Sequence, residues 1–408
     1  MKFVFVDPRL GNNYGVLTYY QLVLMEALER HGHSTLLLSS GRDEFMKDFI
    51  RQLAEPDTVF YAGMFFFDMR INAHNHYSNT SLFDACHVPV IGRLGDHAFA
   101  SFMTERLENI PRSAQMWADT PSLIEEIRFL FGSADQYQLT KEFCSLPERV
   151  VPQLLPHDAR PIDVLVPLTL IPRTIETFLD ELRAVSVSPV FENIATNLYE
   201  ALCSSHGMLP PLSVFLHVLK QHGVSDFMSL DPNMRSGLLH ILHHLDEVVR
   251  QRKRRDLLDS LADIPPNLNV VVTGTEDHFS RTMPPNVKFI GRQSYDSVVN
   301  LLAQSRMAVN SVPSFPESIH ERVLNASALG CASVSDFSVR LGAECVHGET
   351  ILFVPSDGNL ASVCAAADAN LTEHVGIQAK TLVAERFNVD IHVEQVLGRL
   401  RAENGLAL

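Results

Sequence analysis

The chain has 408 residues, more than one hydrophobic core usually serves, so two or three domains are expected. Hydrophobic residues make up 46% and charged residues 20%, a balance that excludes a disordered chain. The formal net charge of −15 argues against a general grip on nucleic acid or on an anionic membrane surface.

Six cysteines (Cys86, Cys144, Cys203, Cys331, Cys345 and Cys364) are scattered without a CxxC pair. They read as reduced core thiols, which fits a cytoplasmic protein. The first residues, MKFVFVDPR, lack the apolar core and small-residue cleavage site of a signal peptide. No window of 18 residues is continuously apolar, so no transmembrane segment is expected.

Residues 2–6 (KFVFV) form an unbroken apolar run, the mark of a central parallel strand covered on both faces. A turn-rich loop follows, carrying Gly11, Asn12, Asn13, Tyr14 and Gly15. A helix is predicted over residues 17–30, with Leu22, Met25, Ala27 and Leu28 on its apolar stripe, and a strand over 34–38 (STLLL). Such a βαβ unit leaves its first loop at the carboxyl end of a strand, where open α/β sheets bind ligands. The loop has no GxGxxG, so a dinucleotide fingerprint is absent. It is either a plain βα connection or a binding loop; two Asn and Tyr14 make it more polar than a turn requires. Further strands are predicted at 58–64, 88–93, 114–118 and 150–155, the second of these emptying into Gly95, Asp96 and His97. The aromatic run Phe65, Phe66 and Phe67 reads first as core.

A proline-containing linker near 156–161 precedes a new apolar strand at 162–168. From about 174 to 261 the periodicity is almost entirely helical, which marks an insertion inside a second α/β domain. Alternation returns with strands at 268–273 (then Gly274), 287–290 (then Gly291), 307–312, 333–335 and 351–354. Helices are predicted at 361–371, 375–386 and 390–403. The domains are therefore placed at 1–156 and 157–388, with a terminal helix at 389–408.

The most informative stretch is 314–336. A strand runs into a loop with Pro313, Pro316 and Glu317, and a helix follows over 318–329 whose first turn carries Ser318, His320, Glu321 and Arg322. A helix start offers unpaired N–H groups and the positive end of a dipole to an anion. Arg322, Arg292 and Arg173 are the candidate cations beside it; surface salt bridges are their alternative role. No DxD-type metal motif sits beside a predicted strand. His240 and His244 have the four-residue spacing of a two-His metal pair, but no HExxH glutamate accompanies them, and ordinary helix histidines are expected. The basic run at 250–255 (RQRKRR) has acidic neighbours Asp246, Glu247, Asp256 and Asp259 and reads as a solvated, ion-paired face, or else as a dock for an anionic acceptor.

Residues 287–336 resemble the C-terminal domain of GT-B glycosyltransferases (glycosyl transferases group 1), most of all the bacterial CgeB-like group. The resemblance rests on GRQSY at 291–295, VNLLAQSRMAVN at 299–310 and HERVLNA at 320–326 closed by Gly330. It continues with VSD at 334–336, Gly348 with Glu349, and ILFV at 351–354. The segments RHGHSTLLL and HVPVIGRLGDHAF agree more loosely.

The resemblance implies an α/β GT-B fold, with two Rossmann-like domains facing a cleft and the terminal helix packing back on the first. It implies an enzyme that moves a hexosyl or related group from a nucleotide-sugar donor to a hydroxyl of a glycan, lipid-linked precursor or protein. Configuration would be retained, with no cofactor and no bound metal. Glu317 would lie near the donor sugar, and Asn325 stands where the family often carries a ribose-binding Glu. The implied donor side comprises Arg173, Gly274, Arg292, Glu317, Ser318, His320, Glu321, Arg322 and Asn325. The implied catalytic residues are Asp96, His97 and Glu317, and the acceptor-side loop is Gly11, Asn12, Asn13, Tyr14 and Gly15. Alternatives are a non-catalytic nucleotide-sugar-binding or assembly protein, and a sugar-nucleotide epimerase.

Overall fold

The computed structural model describes residues 1–7, 16–62, 69, 80–168, 170–185, 188–274, 280–312 and 314–404. The predicted acceptor-side loop (Gly11, Asn12, Asn13, Tyr14, Gly15) and the Phe65–Phe67 run lie outside the described residues. The chain divides into two compact units, Met1–Val151 with Phe387–Leu408, and Pro152–Arg386.

Among the described residues the first unit is built on six parallel strands: β1 (Lys2–Asp7), β2 (Ser34–Ser39), β3 (Thr58–Tyr61), β4 (Val90–Leu94), β5 (Ala114–Ala118) and β6 (Tyr137–Leu139). Their spatial order is β2-β1-β3-β4-β5-β6. The continuous apolar run of β1 is explained by its place between β2 and β3, where Phe3, Val4, Phe5 and Val6 are fully buried. The helix Val16–Arg30 and the terminal helix Val389–Asn404 cover one face, packing Val23, Leu24 and Ala27 with Val393, Leu397 and Leu400 over Phe3 and Phe5. Arg30 closes this layer by a bidentate pair with Asp390 at 3.0 and 3.1 Å. A strand was expected at 150–155, and the structure corrects this. The sixth strand is β6, while Glu148–Val150 is a short 3-10 turn followed by irregular chain. Pro152 has no N–H for a ladder, and Val151 faces solvent.

Near the terminal helix, His392 is 1% exposed and shares a 2.7 Å hydrogen bond with Thr140 Oγ1. Its ring meets the Trp117 ring edge-on, 5.7 Å away. Burial lowers its pKa to about 3, with the Arg93 charge acting in the same direction.

The second unit carries β7 (Ile162–Val166), β8 (Val270–Val272), β9 (Val287–Phe289), β10 (Ser305–Asn310), β11 (Ala332–Ser335) and β12 (Leu352–Phe353), all parallel, in the order β12-β11-β10-β7-β8-β9. Between β7 and β8 the chain inserts four helices, Ile175–Ala184, Pro189–Ser205, Pro211–Gln221 and Pro232–Asp259. Their starts are written locally: Thr174, Ser188 and Asp231 cap backbone N–H groups, and Pro189, Pro211 and Pro232 take the first helical position.

Two close contacts fix the layer beneath the later strands. Arg160 donates from Nη1 to the carbonyls of Ser305 and Gly330, each at 2.8 Å, and from Nη2 to that of Leu329 at 2.9 Å. It thereby caps the carboxyl end of the helix Glu321–Ala328. Gly376, inside the helix Ala369–Arg386, lies against the Gly330 backbone so tightly that a Cβ there would meet the Gly330 carbonyl oxygen at 2.4 Å.

Two outcomes are expected. In an open helix Gly→Ala is stabilising, but Gly376→Ala should lower stability by about 1–3 kcal/mol, the usual cost of overpacking; a denaturant titration reads the sign. Neutral His392 persists in the folded state to about pH 3, whereas in the unfolded chain it titrates near the ordinary value of 6.5. Stability from this group is complete above pH 6.5 and is lost as pH falls toward 3, because the unfolded state then binds the extra proton. His392→Gln should flatten the fall of the melting temperature between pH 7 and 4.

Candidate functional site

In the second sheet the strand order reverses at β7 and β10. From β7 the chain builds outward through β8 and β9, and from β10 it builds the other way through β11 and β12. The loops leaving these two adjacent strands diverge, which opens a crevice at their carboxyl ends. The sequence distributes its candidate residues over that edge. Arg173 follows β7, Gly274 follows β8, Arg292 follows β9, and Glu317, Ser318 and His320 follow β10. Gly291 N–H donates to the Gly274 carbonyl at 3.1 Å, joining the ends of β8 and β9.

The helix after β10 begins at Glu321, three residues later than predicted, and His320 is its N-cap residue. Ser318 belongs to the preceding turn, where its N–H donates to the Phe315 carbonyl at 3.1 Å. The turn is pinned from the segment after β11: Val312 N–H donates to Asp336 Oδ1 at 2.6 Å, and Arg340 N–H, on the helix Val339–Glu344, donates to the Pro316 carbonyl at 2.9 Å. Burial pushes the Asp336 carboxyl up to about 6.

At the helix start three side chains form a chain of contacts. His320 Nδ1 lies 2.7 Å from Glu321 Oε2, and His320 Nε2 lies 3.2 Å from Arg322 Nη2. His320 Nδ1 also accepts the Arg322 backbone N–H at 3.2 Å as the helix cap, so a proton on Nδ1 would serve Glu321 and the guanidinium only by giving up that cap. Burial, then the Arg322 charge, keep His320 below its ordinary pKa. Burial works to raise the Glu321 carboxyl, yet His320 and Arg322 hold it below the usual carboxylate range. Arg322 itself is lowered by burial. Its Nη1 is buried and has no hydrogen-bond partner among the described residues. A buried guanidinium N–H without an acceptor is costly, and an anion would relieve it.

Arg254 is a residue that sequence reasoning missed. It sits in the basic run read as a solvated face, on the helix Pro232–Asp259. Burial, and next the charge of Arg322, bring its pKa down to about 9. Two guanidiniums that repel each other thus lie together at the helix start, opposed by Glu321 and Asp336. The rest of the run divides its roles: Arg250 pairs with Asp246, and Arg252 donates to the Tyr199 hydroxyl at 3.0 Å. The run is therefore not one solvated face. Its composition was visible in the sequence, but the direction of Arg254 depends on how the inserted helix packs.

The remaining predicted residues fall in different surroundings. Asn325 is 1% exposed, and its Nδ2 donates to the Tyr295 hydroxyl, tying the helix Tyr295–Ala303 to the helix Glu321–Ala328. Glu317 is half-buried in the turn, and Arg292 is exposed beside Gly291, whose φ is +70°. Arg173 donates to Glu247 at 3.0 Å and Glu181 at 3.2 Å, both in the helical insertion.

In the first unit the order reversal lies at β1 and β3, and the loop after β1 is the one outside the described residues. Asp96 and His97 follow β4; Asp96 is exposed and His97 is 6% exposed. His97 Nδ1 lies 2.7 Å from Oε1 of Glu126, which is itself 1% exposed, and the second Glu126 oxygen accepts the Ala98 N–H at 3.0 Å. The His97 ring stacks on Phe99, with centroids 4.4 Å apart. Glu126, on the helix Pro121–Phe131, is a second partner that sequence spacing could not single out.

No helix among the described residues is long and apolar enough to cross a membrane. Residues 250–398 match the family model described as Glycosyl transferase-like. No curated protein matches the chain significantly. Among solved structures it is similar to Anabaena HepE in complex with UDP-glucose, with 14% identity, a TM-score of 0.50 and coverage of 98% of this chain and 100% of that one. HepE in complex with UDP and glucose aligns at 13% identity and a TM-score of 0.53, with the same coverage. Sucrose-phosphate synthase of Thermosynechococcus elongatus aligns at 12% identity and a TM-score of 0.53, over 98% of this chain and 99% of that one. The chain thus has the two-sheet α/β GT-B fold of these glycosyltransferase structures, and its residues 250–398 match a glycosyl transferase-like model.

Proposed function

We propose that the protein transfers a hexosyl or related sugar from a nucleoside-diphosphate donor to the hydroxyl of a glycan, lipid-linked or protein acceptor. The observation that carries this reading is Arg322. Its buried Nη1 lacks an acceptor among the described residues, beside the half-buried guanidinium of Arg254, at the start of a helix on the switch-point edge of the sheet. A departing nucleoside diphosphate develops negative charge, and donors fixed in a dry site before the reaction stabilise it without reorganising. Arg322, Arg254 and the helix N–H groups would supply that charge, so the transfer is proposed to need no catalytic metal. The UDP and UDP-glucose complexes of the similar HepE fold support a donor of this class.

The following residue roles are proposed. Arg322 and Arg254 hold the diphosphate, with Ser318, His320 and Glu321 shaping the turn and Arg292 and Gly274 at the neighbouring strand ends. Glu317 lies toward the donor sugar. Asn325 acts on the site through Tyr295 and the pose of the helix. In the first unit Asp96 and His97 serve the reacting hydroxyl, and Glu126 fixes the His97 tautomer so that Nε2 is the working nitrogen. Retention of configuration is proposed from the group 1 resemblance. Arg173 is placed on the donor side in the same way, with Glu181 and Glu247 as its resting partners.

Two measurements test the reading. Thermal shift with a panel of nucleoside diphosphates should find at least one stabiliser; ligand at 100 times its dissociation constant adds about 2.7 kcal/mol. Arg322→Gln should abolish that shift while keeping the fold, and a panel without any stabiliser overturns the donor site. Release of nucleoside diphosphate from the best donor should require acceptor and should survive chelator. A strict metal requirement would refute the cationic mechanism, and binding without turnover would leave a carrier rather than an enzyme.

A further inference from the structure

The helix Pro232–Asp259 carries a second cluster of side chains that the proposed transfer does not use. His243, His244 and Glu247 each bring a ligand atom to one place, with all of these atoms within 4.8 Å of one another. The spacing explains the convergence: Glu247 is four residues after His243 and three after His244, so its carboxylate reaches the groove between both rings. We propose that these three residues form a binding site for one divalent transition cation of the zinc class.

Three features support it. The set of two imidazoles and one carboxylate suits a borderline cation better than calcium or magnesium, which prefer oxygen. Among the described residues His244 Nδ1 is buried without a hydrogen-bond partner, and it lies 3.7 Å from Glu247 Oε2, too far for a hydrogen bond and close enough for both atoms to turn onto one ion. Finally, His240 lies one turn back with its ring edge-on to that of His244, centroids 4.0 Å apart, which fixes the direction of the second ring. All three ligands are only partly buried, so open coordination positions face water.

The competing charge is Arg173. Its Nη1 donates to Glu247 Oε2 at 3.0 Å, and its Nη2 donates to Glu181 at 3.2 Å. A cation at the cluster would draw Glu247 away and leave Arg173 with Glu181 alone. Arg250 is on the same helix and is engaged by Asp246 at 3.4 Å. The site therefore trades one cation for another at Glu247, and metal affinity should rise when Arg173 loses its charge.

Cobalt(II) titration of the full chain tests this, because its visible absorption separates nitrogen and oxygen ligands from thiolates. One Co2+ per chain is expected, without a thiolate charge-transfer band. His244→Ala and Glu247→Gln should each weaken binding by at least about tenfold, the lower end of what losing even an indirect partner costs. Arg173→Gln should tighten it. His222→Ala, whose ring bonds Asn197 elsewhere, should leave it unchanged. Melting curves without metal show that each variant is folded, and His243→Ala replaces any variant that is not. Wild-type affinity in both His244→Ala and Glu247→Gln, or a thiolate band, overturns the site.

Discussion

Parallel pairing of β7 with β10 is the constraint on which the second unit depends. Ile162, Val164 and Leu165 stand beside Ser305, Met307 and Ala308 in one register, although the chain travels through the whole helical insertion and two strands between them. Because every strand runs the same way, every carboxyl end lies on one edge, and the chain must leave that edge in opposite directions at the reversal. No particular side chain is needed to open the crevice; topology opens it, and local sequence only furnishes it. The polar, proline-rich turn after β10 is tolerable there because Asp336 and the Arg340 N–H supply partners that a ladder would otherwise give.

The furnishing is electrostatically expensive. Arg322 and Arg254 are both lowered by burial, which means that the fold holds them charged against a desolvation cost. Glu321, His320 and Asp336 offset part of it, but His320 accepts only one guanidinium nitrogen. A structure optimised for stability alone would have replaced such a cluster by apolar packing. Its persistence at a helix start is consistent with an anionic occupant that completes the charge balance.

Much of this was legible from the residues. The alternation of apolar runs and helical periods placed both sheets and the insertion, because strands buried on two faces must be apolar throughout. The loop after β10 was legible as well, since a polar turn between a buried strand and a helix has few other uses. Two things were not. The apolar residues at 150–155 imitate a strand, and only Pro152 together with the competing pairing of β6 on β5 excludes them. Arg254 sits among like residues on a long helix, and nothing in a periodicity of 3.6 says which of them meets a helix from elsewhere in the chain. Glu126 was hidden for the same reason: its partner His97 is 29 residues away, on another element.

Arg160 gives the site a dependence on a residue that no ligand would touch. Two of its three bonded carbonyls, those of Leu329 and Gly330, lie at the far end of the same short helix whose first turn holds Arg322, and the third, that of Ser305, opens β10. A planar fork can serve Ser305, Leu329 and Gly330 together, and a lysine ammonium on a flexible stem cannot hold that arrangement. The helix is thus clamped at its tail and presented at its head, like a lever with a fixed fulcrum. Natural variation should consequently be narrower at Arg160 than its distance from the crevice suggests, and drift in the grip on an anion would accompany any change there.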